Sequence, residues 1–338
     1  MSMLESRSVA YRAAIIDALA EEMRRDRTVV LIGEDIGKAG GVFKQTEGLF
    51  DEFGPMRVID TPISEAGSFG LAVGAAMTGL RPVFEVMFGD FMTLIMDQLV
   101  NQAAKVHYMS GGQFTVPVVV RTTMGTGSFL GPQHSQSLYG WACHVPGLKV
   151  AVPSSAADAK GLYKSAIRDD NPVLIFEDRM LYGAKEAVPA GDHLVPLGRA
   201  ALKRRGRDVT IVAIGRMVQH AQRAAAELAE QGIEAEVVDP RTLVPLDTET
   251  LLDSVKRTSR VLVVDGAPRQ YGAAAEIAAT LSEIAFDWLD APVARLCAEN
   301  IPIPVSRTLE PLVQPTSTRI AEEVRRLAVG LSPAFASQ

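Results

Sequence analysis

Thr28–Gly33 reads TVVLIG, and this stretch decides the fold. It is β-branched and apolar on both alternating faces, and glycine stops it. A strand without a polar face is buried on both sides, as happens in parallel sheets covered by helices. Upstream, Ile15, Ile16, Leu19, Ala20 and Met23 share one face of an amphipathic helix. Downstream, strands are expected at Pro82–Phe88, Val116–Arg121, Leu148–Pro153 and Pro172–Glu177. Between them Glu65–Gly79, Phe91–Met109 and Ala156–Arg168 are each long enough for a helix. Apolar strands alternating with helical segments predict a parallel α/β fold.

Gly183–Asp208 changes character: it is polar, holds Pro189, Gly191 and Pro196, and ends in the charged run Lys203–Asp208. It reads as an interdomain linker, and the charge run as a solvated turn. A second, smaller α/β unit is expected beyond it, with strands at Val209–Gly215, Ala235–Asp239, Arg260–Asp265 and Pro292–Cys297. Its helices are expected at Val218–Gln231, Thr248–Thr258, Ala273–Ile284 and near Thr318–Ala328. The expected organisation is therefore residues 1–182, a linker over 183–208, and residues 209–338.

A chain of 338 residues suits two domains, and its 47% hydrophobic content supplies a core for each. The formal net charge of −6 argues against a nucleic-acid binder. Cys143 and Cys297 stand far apart without a CxxC partner, so buried thiols are expected rather than a zinc site or disulfide. The opening residues lack the basic-then-apolar pattern of a signal peptide, and no apolar run is long enough to span a bilayer. The expectation is a soluble cytoplasmic protein with no membrane partner.

Ligands of open α/β sheets bind beyond the carboxyl ends of strands, and four such stretches carry candidate chemistry. In Asp60–Gly67, DTPISEAG, Pro62 keeps Thr61 extended, and Ser64 could cap the helix that Glu65 begins. Glu65 is open to two readings here. It could be an ordinary helix-start glutamate stabilised by the helix dipole. Alternatively, the small apolar run AGSFGLAVGAAMTG packs closely against a subunit or cofactor, partly desolvating an acid whose raised pKa suits proton transfer. In Phe84–Phe91, FEVMFGDF, aromatics near Gly89 could flank a flat ring or simply fill the core. In Met124–Gln136, MGTGSFLGPQHSQ, a long glycine-rich loop presents His134, which favours catalysis over structure. Ala166–Pro172 turns a helix end into a strand; its carbonyls and Asp and Asn oxygens could hold a hard cation, or form a plain polar turn.

The absences are informative. No P-loop, strand-linked GxGxxG or GxSxG elbow is present. Nor is there a Gly-Asp-Gly followed after about 25–30 residues by Asn-Asn, the arrangement that holds Mg²⁺ and diphosphate in thiamine enzymes.

Taken together, a series of motifs resembles the beta subunit of the thiamine-diphosphate-dependent decarboxylase component of 2-oxoacid dehydrogenase complexes. The family spans the pyruvate, branched-chain and acetoin types. The motifs are GEDIG at Gly33–Gly37, GGVFKQTEGL at Gly40–Leu49, DTPISEAG at Asp60–Gly67 and MDQLVNQAAK at Met96–Lys105. YMSGG at Tyr108–Gly112, QHSQS at Gln133–Ser137, HVPGLKV at His144–Val150 and AIRDDNPV at Ala166–Val173 continue the series. DPRTLVPLD at Asp239–Asp247 and IPIP at Ile301–Pro304 carry it into the second unit.

The resemblance implies a pyrimidine-binding α/β domain followed by a transketolase-like C-terminal domain. It implies that Glu65 hydrogen-bonds N1′ of the cofactor's aminopyrimidine, that Phe91 lies beside that ring, and that Glu34 is an acid at the inner end of the site. It implies that His134 stands at the substrate mouth and serves reductive acylation of a lipoyl group. Val118, Ala166, Ile167, Asp169 and Asn171 match a structural monovalent-cation site, for potassium, built mostly of main-chain carbonyls. The missing diphosphate motif is then supplied, with Mg²⁺, by an alpha subunit. The implied assembly has two alpha and two beta chains and serves a dihydrolipoyl acyltransferase core with its lipoyl domain.

Three departures bear on substrate and docking. Arg121–Gly127 reads RTTMGTG where many members have RGPNGAG. Leu94 stands where pyruvate-specific members can carry glutamine. Asp265-Gly266-Ala267-Pro268 replaces a common acidic pair. Acetoin remains an alternative substrate. The second half of a split transketolase is an alternative enzyme, and a scaffold that has lost catalysis is a non-enzyme reading that Glu65 and His134 argue against.

Overall fold

The structure, a computed structural model, describes residues 6–330. Its compact units do not follow the sequence in one cut. The first holds residues up to Met124 together with Trp141–Leu197; the second holds Gly125–Gly140 and everything from Gly198 onward.

In the first unit six strands pair in parallel, in the spatial order Lys149–Ala151, Val173–Asp178, Val119–Met124, Arg81–Val86, Val29–Gly33 and Val58–Asp60. Val29–Gly33 is buried along its whole length, as its unbroken apolar reading requires. Helices Tyr11–Arg25 and Ala156–Arg168 pack on each other over one sheet face through Ala14, Ile15, Ala18, Leu19, Ala159, Leu162 and Tyr163. Each fully buried Leu or Ile there contributes about 1.5–3 kcal/mol relative to exposure.

Two expectations change in this unit. Phe91–Met109 is not one α-helix. It is a 3₁₀ segment Gly89–Ile95, a π segment Gln98–Ala103 and a short helix Val106–Met109. The Phe91 amide donates to the Phe88 carbonyl in a tight turn (2.9 Å), and the Ala104 amide reaches back to Leu99 in a wide one (3.0 Å). The expected linker is also structured at both ends. Lys185–Pro189 pairs antiparallel with Ser6–Ala10, a strand whose mostly polar sequence hid it, and Ala201–Arg204 joins the second sheet. The division between the units falls at Leu197–Gly198.

The second unit has a five-stranded sheet ordered Ala294–Ala298, Val261–Pro268, Val209–Ala213, Ala235–Asp239 and Ala201–Arg204, with the last strand antiparallel. Helices Met217–Ala229 and Ser317–Ala328 seal one face through Ala221, Ala224, Leu228, Ile320, Val324 and Leu327. Helices Thr248–Thr258 and Ala273–Ile284 have the bounds that the sequence predicts. Among the described residues no helix is long and apolar enough to cross a membrane.

Candidate active site

Three adjacent parallel strands of the first unit end at one edge, and each hands the chain to a candidate residue. Val29–Gly33 leads into Glu34, Val58–Asp60 into the Thr61–Glu65 turn, and Arg81–Val86 into Phe88–Phe91. Main-chain pairing therefore gathers Glu34, Glu65 and Phe91 from separate stretches of sequence, at the carboxyl edge where open α/β sheets bind ligands. The turns there are tied down locally. Thr61 N–H donates to the Gly33 carbonyl at 3.0 Å, and Gly37 N–H donates to Asp60 Oδ1 at 2.8 Å. Any larger residue at position 37 would have to displace the Asp60 carboxylate, because a Cβ would run into it.

Glu65 opens the helix Glu65–Met77 and is half-buried. Ser64 does not cap it: its side chain makes no capping bond. The Glu65 carboxylate makes no side-chain hydrogen bond among the described residues. Glu34 lies close enough to feel its charge. Burial, then Glu65 and Asp35, push the Glu34 carboxyl above the usual range, against the Ser64 amide that donates to it. Phe91 is half-exposed and packs edge-on against Phe88 (5.5 Å between ring centres, 70° between planes). Phe88 is fixed from its other side by Phe43 at 5.7 Å and by the Arg179 guanidinium at 5.4 Å.

Behind this edge lies a buried polar cluster. Arg121 makes a bidentate pair with Glu177 (2.9 and 2.9 Å), and its Nη1 lies 3.1 Å from Glu85 Oε2. Tyr163 and Tyr182 both donate to Glu177, and Gln45 donates to Glu85 at 3.1 Å. Burial raises the Glu85 carboxyl to about 7 despite Arg121 and Gln45; Glu177 and Glu34 add to the rise. Sequence reading missed this cluster, because its members come from separate strands and helices and no local pattern joins them.

The edge fits an aminopyrimidine on three observations. Among the described residues a half-buried carboxylate lacks a hydrogen-bond partner, a half-exposed aromatic is braced from behind, and Thr61 Oγ1 is buried with no partner.

His134 belongs to the second unit, on the loop between Gly125 and Tyr139. It is half-exposed, and its amide reaches the Gly131 carbonyl at 3.4 Å. A cavity of about 320 Å³ in the same unit is lined by Gln136, Ser137, Leu138, Gly266, Asn300 and Gln314, among others.

The five candidate cation residues come together at the far end of helix Ala156–Arg168, with Val118 just before strand Val119–Met124. Val118 and Val173 are joined there by a main-chain bond of 3.0 Å. Arg81 donates to the carbonyls of Ile167 and Asp169, each at 2.7 Å. Burial opposes ionisation of Asp169, but the Lys149 ammonium and the Asn171 donors hold its carboxyl below the usual range. A carbonyl oxygen has two acceptor positions, so Arg81 leaves one free at Ile167 and one at Asp169. Among the described residues no group of three or more His, Cys, Asp or Glu could hold a metal. A cation at this turn would rest on main-chain oxygens.

Residues 7–185 match the transketolase pyrimidine-binding domain and residues 198–320 the transketolase C-terminal domain. The beta subunit of the acetoin:2,6-dichlorophenolindophenol oxidoreductase of Bacillus subtilis is 47% identical over 93% of this chain and 96% of its own length. The mitochondrial pyruvate dehydrogenase E1 beta subunit of Dictyostelium discoideum is 44% identical over 95% and 92%. The chain belongs to the beta subunits of the 2-oxoacid and acetoin dehydrogenases. The family is associated with thiamine diphosphate, and its beta subunits work within complexes. Among solved structures, a split-gene transketolase described as an inactive beta4 tetramer superposes with a TM-score of 0.79 at 25% identity, over 96% of this chain and 99% of that one. The two kinds of relative share the fold, and the dehydrogenase subunits are far closer in sequence.

Proposed function

We propose that this chain, with an alpha subunit, forms a dehydrogenase component that oxidatively decarboxylates a 2-oxoacid and acylates a lipoyl group on a dihydrolipoyl acyltransferase. The observation that carries the reading is the strand edge that gathers Glu34, Glu65 and Phe91, with Glu65 unpartnered. Thiamine diphosphate, when bound, supplies the carbanion chemistry that breaks the bond to the carboxylate carbon. Glu65 shares a proton with N1′ of the aminopyrimidine, as general acid and base. Glu34, its carboxyl pushed above the usual range by burial and by the nearby Glu65 charge, borders that proton. Phe91 flanks the ring and excludes water. His134 delivers a proton to the lipoyl sulfur as the acyl group is taken up. Mg²⁺ and the diphosphate are held by the alpha subunit, in an assembly of two alpha and two beta chains in the cytoplasm. Main-chain oxygens around Val118, Ala166, Ile167, Asp169 and Asn171 hold potassium.

The 47% identity to an acetoin oxidoreductase subunit supports a second reading, in which acetoin is the substrate. One experiment tests both. The chain is co-purified with its alpha partner, supplied with thiamine diphosphate and Mg²⁺, and offered pyruvate, branched-chain 2-oxoacids and acetoin with dichlorophenolindophenol as acceptor. Dye reduction with a 2-oxoacid or with acetoin is expected and selects between them. No reduction with any of them overturns the proposal, and ketol transfer between sugar phosphates instead returns the chain to the transketolases.

A further inference from the structure

We propose that Glu310 and Arg216 are positioning residues that fix the loop carrying His134, so that the two act on lipoyl acylation and not on the earlier decarboxylation. The inference rests on the role assigned to His134 above and extends it to residues that do not touch a substrate.

From Gly125 to Leu138 the chain has no helix or strand to hold it. Gly125, Gly127 and Gly131 all have positive φ, and Phe129 is a non-glycine residue at φ 56°. Ordering a backbone costs conformational entropy at every residue, so a loop of this composition needs fixed partners to keep one conformation. Within the second unit those partners are specific. Glu310 is fully buried, and its two carboxylate oxygens accept from the Gly127 amide at 2.9 Å and the Phe129 amide at 3.1 Å. Arg216 donates to the Thr126 carbonyl at 3.1 Å and to Thr126 Oγ1 at 3.3 Å. The Arg307 guanidinium covers the Phe129 ring at 5.3 Å. At the far end, the Tyr139 hydroxyl donates to the buried Asp265, which also accepts from the Ala267 amide at 2.9 Å.

A carboxylate is the one side chain of this size that offers acceptors at both ends of its fork. An amide at position 310 would turn an NH₂ group toward one of the two backbone donors. Glu310→Gln therefore keeps the volume and removes the grip on either Gly127 or Phe129. Once Phe129 is free to leave its strained conformation, the chain leading to His134 shifts with it. Misplacement by about 1 Å can cost about 100-fold in rate.

The test uses the assembled protein with its alpha partner in four forms: wild type, Glu310→Gln, His134→Asn and the double variant. Two rates are read, substrate-dependent reduction of dichlorophenolindophenol and acylation of an isolated lipoyl domain followed by mass spectrometry. We expect Glu310→Gln to lower lipoyl acylation about 10- to 100-fold while dye reduction changes less than about 3-fold. The double variant should acylate no more slowly than His134→Asn alone, because the loop then has nothing left to position. Equal loss in both assays, or no loss in either, overturns the proposal. If His134→Asn itself leaves acylation intact, the role of His134 fails and the proposal falls with it; if only Glu310→Gln is silent, that role survives. Should Glu310→Gln not assemble, Arg216→Met gives the same two readouts. It must show the same split between assays, with Arg216→Lys restoring part of the acylation rate.

Discussion

The first unit holds two groups of acids close together, and they are built on opposite principles. Glu85 and Glu177 sit behind the sheet edge with Arg121, Gln45, Tyr163 and Tyr182 supplying donors to both carboxylates. Glu34 and Glu65 sit at the edge itself; one main-chain amide serves Glu34, and among the described residues no side-chain donor serves Glu65. The buried group is charge-paired throughout, down to the ion pair between Arg121 Nη1 and Glu85 Oε2, because an unpaired charge in the interior costs several kcal/mol. The edge group is left unsaturated where water or a ligand can reach it. A carboxylate that the fold leaves without a partner is free to work on something else.

Breaking the open side of this contrast should have the largest effect. Glu65→Gln preserves shape and, with no partner to lose, should change folding stability by less than about 0.5 kcal/mol. Turnover of the reconstituted assembly should fall about 10²- to 10⁴-fold, the usual range for a lost general acid–base group. Steady-state assays beside urea denaturation check both halves. Retained turnover would remove Glu65 from its assigned role and leave family membership untouched.

Breaking the paired side should do the reverse. Arg121→Met leaves Glu177 and Glu85 buried without their cation and should destabilise the first unit by about 3–5 kcal/mol, read as a lower urea midpoint. Glu85→Gln is gentler and depends on pH. Burial holds the folded Glu85 carboxyl at about 7, above its unfolded value of 4.5. Between those values the folded state keeps a proton that the unfolded state has lost, so wild-type stability declines as pH rises through this window. The contribution is fully present below the unfolded value and gone above about 7. The shift is worth up to about 3 kcal/mol. Glutamine lacks the effect, so its stability relative to wild type should improve steadily from pH 5 to pH 7.5. Parallel pH curves for the two proteins would show that Glu85 does not titrate there.

What the sequence disclosed follows the same division. Val29–Gly33 was legible because one apolar run decides it, and Ala156–Arg168 because the segment between two such runs is long enough for a helix. Glu65 and His134 stood out because their local settings, a small-residue helix and a glycine-rich loop, are unusual in themselves. Ser6–Ala10 and Lys185–Pro189 were not legible, since each is a strand only because the other pairs with it. Glu310 could not be found from its neighbours either: its partner Gly127 lies 183 residues away, and only the folded chain joins them. The Arg121 cluster was hidden for the same reason.

The smallest effect concerns the helix that Glu65 begins. Its outward face carries Gly67, Leu71 and Gly74, all exposed, with Leu71 at 59%. A Cβ at Gly74 would meet nothing within 4 Å. Glycine inside a helix costs about 0.5–1 kcal/mol relative to alanine. The chain by itself thus has no use for glycine here, and Gly74→Ala should stabilise the chain expressed alone by about that amount. If the face is where the alpha subunit approaches, the same methyl should weaken assembly, since a close-packed contact tolerates added volume poorly. Urea denaturation of the lone chain and sedimentation of the mixed chains read the two effects separately. A stabilised chain that assembles as tightly as wild type would mean that the partner keeps its distance from Gly74. The open side of the contrast would then end at Glu65 and not continue along its helix.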